Sequence, residues 1–216
     1  MKIKEIELLS KNLAEALKFY SEVLNFETLE SSDEKISFKA GDSILTFKKT
    51  SAENPVYHFA FDIPNNKLEE SLQWLSQRVD LIEFQGSPVI DFPNWGAKSL
   101  YFHDNSGNVL EFIARFENDN KNFTEFDSSS IVSISEIAFV TNEVINLATD
   151  IKENHGLSYF ERQIPHEDFS VIGDDNGLFI LVKSSRNWYP TSVKVQIFPI
   201  KVIYENAGNI SQIDYK

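Results

Sequence analysis

Three times along the chain, a short run of alternating or continuous apolar residues precedes a stretch whose apolar residues fall three and four positions apart. The first pattern is that of a strand, and the second marks one face of a helix. The first copy joins Glu5-Ile6-Glu7-Leu8-Leu9 to a stretch from Asn12 in which Leu13, Ala16, Leu17, Tyr20 and Leu24 share a face. Asn12 stands where an N-cap belongs, and Glu15 completes the spacing of a capping box. The second copy joins His58-Phe59-Ala60-Phe61-Asp62-Ile63 to Lys67 through Val79, with the stripe Leu68, Leu72 and Leu75 and with Asn65 or Asn66 as the cap. The third joins Glu136-Ile137-Ala138-Phe139-Val140 to Val144 through Asn154.

Hairpin signals follow each helix. They are Gly41-Asp42 between Lys35–Phe38 and Ser43–Phe47, Asp104-Asn105-Ser106-Gly107 between Lys98–Phe102 and Asn108–Ile113, and Asp174-Asp175-Asn176-Gly177 between Phe169–Ile172 and Leu178–Val182. Glycine-containing turns between short apolar runs predict hairpins. Each unit therefore reads β-α-β-β-β, an α+β fold of repeated modules, with the strand just after each helix the weakest element. The polar stretch 117–130 reads as a linker. The division that follows is a two-module domain over 1–116, with modules 1–50 and 55–116, and then a third module over 131–216. Its final part, Ser192 to Tyr204, alternates as a strand but carries Pro199, which suits an edge or a bend.

Composition removes several function classes. There are no cysteines, so disulfides, thiolate metal sites and cysteine nucleophiles are excluded. The net charge of −13 opposes binding to nucleic acid or anionic membranes. No apolar run approaches the ~20 residues of a membrane span, and the N-terminus enters a strand without an apolar signal core, so a cytoplasmic protein is expected.

Alternation also sorts side chains by face. If Ile6 and Leu8 face the helices, then Glu5 and Glu7 face away. The same rule turns Thr46, His58 and Glu111 to the face opposite the helices. Together these patterns resemble the vicinal-oxygen-chelate superfamily of glyoxalases, bleomycin-resistance proteins and ring-cleaving dioxygenases. Phe19-Tyr20 and Val23-Leu24-Asn25-Phe26 match its "FY…VLGF" stretch, and Asp104 through Glu111 resembles its "DPxGNxxE" turn and strand. The resemblance covers nearly the whole chain. It implies two modules paired into a cup-shaped mixed sheet with helices outside.

In that family, metal ligands come from the first and last strands of each module. The resemblance implies Glu5, Thr46, His58 and Glu111 in the four slots, with Glu5, His58 and Glu111 as ligands. Glu5 departs from the family's His or Gln, and Thr46 from the Glu of glyoxalases. One His and two carboxylates suit Mn, Fe, Zn, Mg or Ni better than copper. Thr46, Glu7 and Trp95 are the candidate substrate contacts, Trp95 because it lies in the irregular loop Asp91-Phe92-Pro93-Asn94-Trp95-Gly96. It could equally plug the end of the sheet, and Arg186-Asn187-Trp188-Tyr189-Pro190 invites the same comparison. Without metal, Glu5 and Glu111 held close would repel and leave one as a general base, and His58 could be an ordinary hydrogen-bonded histidine. The third unit offers Glu136 and Leu181 in its slots, too little for a site of its own. Its sheet must cover the first domain or pair with another copy as a two-fold dimer. The functional expectations are a metal-dependent lyase, isomerase or dioxygenase on a small oxygenated metabolite, a metal-free small-molecule binder of the bleomycin-resistance type, or a dimer whose site has decayed.

Overall fold

The repeating pattern becomes repeating structure. The computed structural model describes all residues except 52 and 53. The first unit holds β1 (Lys2–Ser10), α1 (Leu13–Lys18), β2 (Thr28–Ser31), β3 (Lys35–Ala40) and β4 (Ser43–Lys49). The second holds β5 (His58–Ile63), α2 (Leu68–Ser76), β6 (Leu81–Ile82), β7 (Val89–Phe92), β8 (Ala97–His103) and β9 (Val109–Arg115). The third holds β10 (Ser133–Thr141), α3 (Val144–His155), β11 (Phe169–Asp174) and β12 (Gly177–Lys183). Its weak strand shrinks to a single bridge between Tyr159 and Ile172. The chain ends in a hairpin of β13 (Ile200–Asn206) and β14 (Asn209–Tyr215), so a regular strand forms only beyond Pro199. Among the described residues no helix is long and apolar enough to cross a membrane.

In each unit the first strand runs parallel to its own last strand, as β1 with β4, β5 with β9 and β10 with β12. That leaves one free edge per first strand. The free edge of β5 takes β10, antiparallel, and the free edge of β1 takes β13. The result is two mixed sheets, ordered β14-β13-β1-β4-β3-β2 and β11-β12-β10-β5-β9-β8-β6, with β7 beside β8. The pairing therefore differs from the expected one. The second unit shares its sheet with the third, and the first unit shares its sheet with the C-terminal hairpin. Alternation states which face a side chain takes but not which strand lies across the edge. Of the two outcomes expected for the third unit, pairing within the chain is the one formed, through β10 against β5.

The two sheets join where β1 lies against β10, with Ile3, Ile6, Ile134 and Ile137 in one apolar core. Gly41 permits this approach, because a Cβ there would come within 2.1 Å of the Val132 carbonyl oxygen. Beside it, Ser43 Oγ donates to Ile3 O at 2.6 Å and accepts from Ile134 N at 3.0 Å.

Local signals hold in part. Asn12 Oδ1 accepts from Glu15 N at 3.2 Å, capping α1, and the stripe buries Leu13, Ala16, Tyr20 and Leu24. Asn65 and Asn66 do not cap α2, whose N-cap is Lys67. Their amides instead donate to the carbonyls of Asn118 and Asn122, at 2.6 and 2.7 Å, fastening the linker to the second unit. Tyr20 ties the first unit to the second, since its hydroxyl donates to Asp104 Oδ2 at 2.8 Å inside the turn before β9. Asp104 also accepts from Ser106 N and Asn108 N at 2.8 and 2.9 Å. Tyr20→Phe should lower stability by about 1–3 kcal/mol, the cost of leaving a buried acceptor short of one donor. Urea unfolding checks this, and an unchanged midpoint would show that the link carries no energy.

Candidate metal centre

The site is organised around an alanine. On β5, His58, Ala60 and Asp62 share the face away from the helices. Ala60 lies opposite Glu111 of β9 on one side and opposite Glu136 of β10 on the other. Its methyl group leaves room above itself, and both carboxylates and the imidazole enter that space. One ligand atom from each of His58, Glu111 and Glu136 lies within 4.8 Å of the others, and all three residues are buried.

Glu136 reaches this face through a break in register. Ile134 lies opposite Phe61, but Glu136 rather than Ser135 lies opposite Ala60. Ile134 and Ile137 pack on the helix side, while Ala138 and Val140 pack on the cup side. The irregularity at Ser135 thus exchanges the faces and delivers a carboxylate where regular alternation would place a serine. Bulges beside functional sites often re-aim side chains in this way.

Hydrogen bonding prepares the imidazole. His58 Nδ1 lies 2.9 Å from the Val109 carbonyl, which can only accept, so Nδ1 carries the proton. Nε2 keeps its lone pair and faces Glu111 Oε2 at 3.5 Å. An outer hydrogen bond of this kind commonly orients a metal-binding histidine. Burial lowers the His58 pKa, against the opposing pull of Glu136 and of the Val109 bond.

The carboxylates carry excess charge. Arg115 of β9, about 1% exposed, forms an ion pair with Glu136 and places Nε 3.8 Å from Asp62 Oδ1. Burial alone would lower the Arg115 pKa, but Glu136, Asp62 and Glu111 hold it above its ordinary value. Burial, helped by the charge of Glu136, pushes Glu111 up to about 8, while the Ser99 and Tyr101 hydroxyls and Arg115 pull it down. Burial likewise pushes Asp62 up to about 7 against the pull of Arg115. Three buried carboxylates face one buried guanidinium, so full ionisation leaves two negative charges uncompensated. A divalent cation would balance them, and the donor set of one imidazole nitrogen and two carboxylates fits such an ion.

A cavity of about 210 Å³ opens above these residues, with Trp95, Tyr101, Trp188 and Tyr189 among its aromatic walls and Gln163 and Arg186 among its polar ones. Trp95 is among the residues that line it. The ring sits edge-on to Phe160 with centroids 5.2 Å apart, and its carbonyl accepts from Arg162 at 2.7 Å. It therefore lines the wall while packed from behind.

Glu5, Thr46 and Glu7 are elsewhere. Thr46 Oγ1 donates to Glu5 Oε1 at 2.8 Å on the other sheet, and Glu7 pairs with Lys48 at 2.8 Å. Glu5 occupies in the first unit the place that Glu136 holds in the third, including the irregular register just before it. Its expected union with His58 and Glu111, as ligand or as general base, is not formed, because β1 and β5 belong to different sheets. Glu136, which has no second ligand group within its own unit, stands in that position.

Comparison with known proteins agrees with this architecture. The family model described as Glyoxalase/Bleomycin resistance protein/Dioxygenase superfamily matches residues 2–156, and the chain belongs to that superfamily. A metallothiol transferase, FosB of Staphylococcus haemolyticus, is 27% identical over 116 residues, covering 50% of this chain and 80% of the relative. Among solved structures, a putative dioxygenase from Bacillus subtilis matches 100% of this chain and 67% of its own length, with TM-score 0.60 and 19% identity. The fosfomycin resistance protein FosX of Listeria monocytogenes, solved with Mn(II) and 1S,2S-dihydroxypropylphosphonic acid, matches 53% of this chain and 89% of its own length, with TM-score 0.41 and 19% identity.

Two outcomes follow from the charge arrangement. Arg115→Met should destabilise the protein by about 3–5 kcal/mol, because it strands buried carboxylates. Chemical denaturation reads this directly, and a loss below about 1 kcal/mol would contradict the ion-pair account. A ligating Glu111 must lose its proton, and burial raises its affinity for that proton. Mn²⁺ affinity should therefore climb as pH rises toward about 8 and level off above it. Calorimetric titration at several pH values would show that slope, and a flat profile would exclude Glu111 as a ligand.

Proposed function

We propose that the chain is a divalent-metal-dependent enzyme acting on a small oxygenated metabolite, with His58, Glu111 and Glu136 holding the ion. The observation that carries this reading is the convergence of three buried donor groups, one imidazole and two carboxylates, at the floor of an aromatic cavity. A bound divalent ion would supply a Lewis acid that polarises the adjacent oxygens of a substrate. The residues of the chain do the rest. The Val109 carbonyl fixes the imidazole tautomer. Arg115 pairs with one Glu136 oxygen and fixes the carboxylate at the cavity floor. The aromatic walls exclude water and present flat surfaces to the substrate. Lyase, isomerase and dioxygenase chemistry are all compatible with such a floor, and the metallothiol transferase name of the curated relative adds group transfer to that range.

A second reading rests on one feature. Glu136 already has a cationic partner in Arg115, and burial raises the pKa of Glu111 to about 8. A protonated Glu111 would leave the floor closer to electrical balance without metal, and the cavity would then serve a protein that binds small molecules.

Elemental analysis of untagged protein supplied with Mn²⁺, Fe²⁺ and Zn²⁺ separates the two. The enzyme reading expects about one ion per chain, a strong reduction in His58→Ala and Glu136→Gln, and full retention in Glu5→Gln. Metal-free protein under all three supplements would leave the binding reading standing.

A further inference from the structure

We propose that Trp188 recognises the molecule bound in this cavity by donating its indole N–H to an oxygen acceptor on it. This rests on the reading that the cavity above His58, Glu111 and Glu136 is the ligand site. Trp188 lines that cavity and is 3% exposed. Its Nε1 has no hydrogen-bond partner among the described residues. Buried tryptophans normally find an acceptor, and a buried donor left unmet costs about 1–3 kcal/mol.

The backbone gives the indole little freedom to leave. Trp188 N donates to Val193 O at 2.8 Å. Its own carbonyl accepts from Thr191 N and Thr191 Oγ1, both at 2.7 Å. The ring stands 5.9 Å from that of His58, centroid to centroid. The unsatisfied donor is thus held beside the candidate metal centre, and the acceptor it lacks comes from the occupant of the cavity.

The walls limit what that occupant is. Tyr101 lies nearly parallel to His58, at 23° and 6.1 Å, and Tyr189 meets Tyr101 at 85°. These flat faces and edges favour a planar molecule. The ligand class is therefore a planar compound bearing carbonyl, hydroxyl or carboxylate oxygens, one of which accepts from Trp188. A site built to donate one hydrogen bond rejects a same-shaped molecule without the acceptor, since the donor would stay buried and unmet.

Indole-¹⁵N labelling tests this, because the chain has only three tryptophans. Zn²⁺-loaded protein is titrated with tropolone, a planar molecule with adjacent carbonyl and hydroxyl oxygens. Trp188→Phe identifies the Trp188 signal and keeps an aromatic ring while removing the donor. The expected result is a downfield shift of the Trp188 indole proton, with tropolone affinity weakened about 5–10-fold in Trp188→Phe, the loss of one hydrogen bond, at unchanged zinc content. An unmoved Trp188 signal with equal affinity in the variant overturns the proposal, as does an absence of tropolone binding to zinc-loaded protein. If the parent holds no zinc, the metal reading has failed by itself. Tropolone is then titrated into the metal-free protein, where a shift of Trp188 supports this inference and no shift overturns it.

Discussion

The antiparallel pairing of β5 with β10 is the contact on which the rest of the site depends. It sets Ala60 between two strands that each bring a carboxylate, Glu111 from the parallel neighbour and Glu136 from the antiparallel one. It also closes the second edge of β5, all six residues of which are buried. A longer side chain at position 60 would fill the space that the imidazole and carboxylates share. A regular register at Ser135 would turn Glu136 toward the helix-side core. One small residue and one irregular step in register therefore decide whether a cluster exists.

That cluster is costly to fold. Asp62, Glu111 and Glu136 lie within the interior with Arg115 as their buried cation. Desolvating several charges usually costs more than their mutual attraction returns. Such arrangements concentrate where function requires them. The other sheet shows the less demanding alternative. In the corresponding place Thr46 satisfies Glu5 through one hydrogen bond, and Glu5 remains partly exposed. The same module thus appears once with a charged, aromatic-roofed floor and once with a quiet polar pair.

Much of this fold was legible along the chain because its signals are local. Alternation and the helical stripes locate the strands and helices, and Asp104 through Gly107 announces the turn that Tyr20 secures. The same period places His58 on the face opposite the helices, and Glu111 likewise. What stayed hidden is non-local. Nothing within β5 says whether β1 or β10 will occupy its free edge, and that choice exchanges Glu5 for Glu136. Ile134 and Glu136 have the same parity, so alternation assigns them one face, and only the irregular pairing at Ser135 separates them. The final hairpin is hidden for a related reason. Alternation joins Ser192 to Tyr204 in one strand, whereas the pairing partner of β1 begins beyond Pro199.

The most direct test is a crystal structure of the protein grown with Mn²⁺ and recorded at a wavelength where manganese scatters anomalously. The account expects one strong anomalous peak within bonding distance of His58 Nε2 and of carboxylate oxygens from Glu111 and Glu136. A peak beside Glu5 and Thr46, or no peak above the Ala60 floor at saturating Mn²⁺, would contradict it.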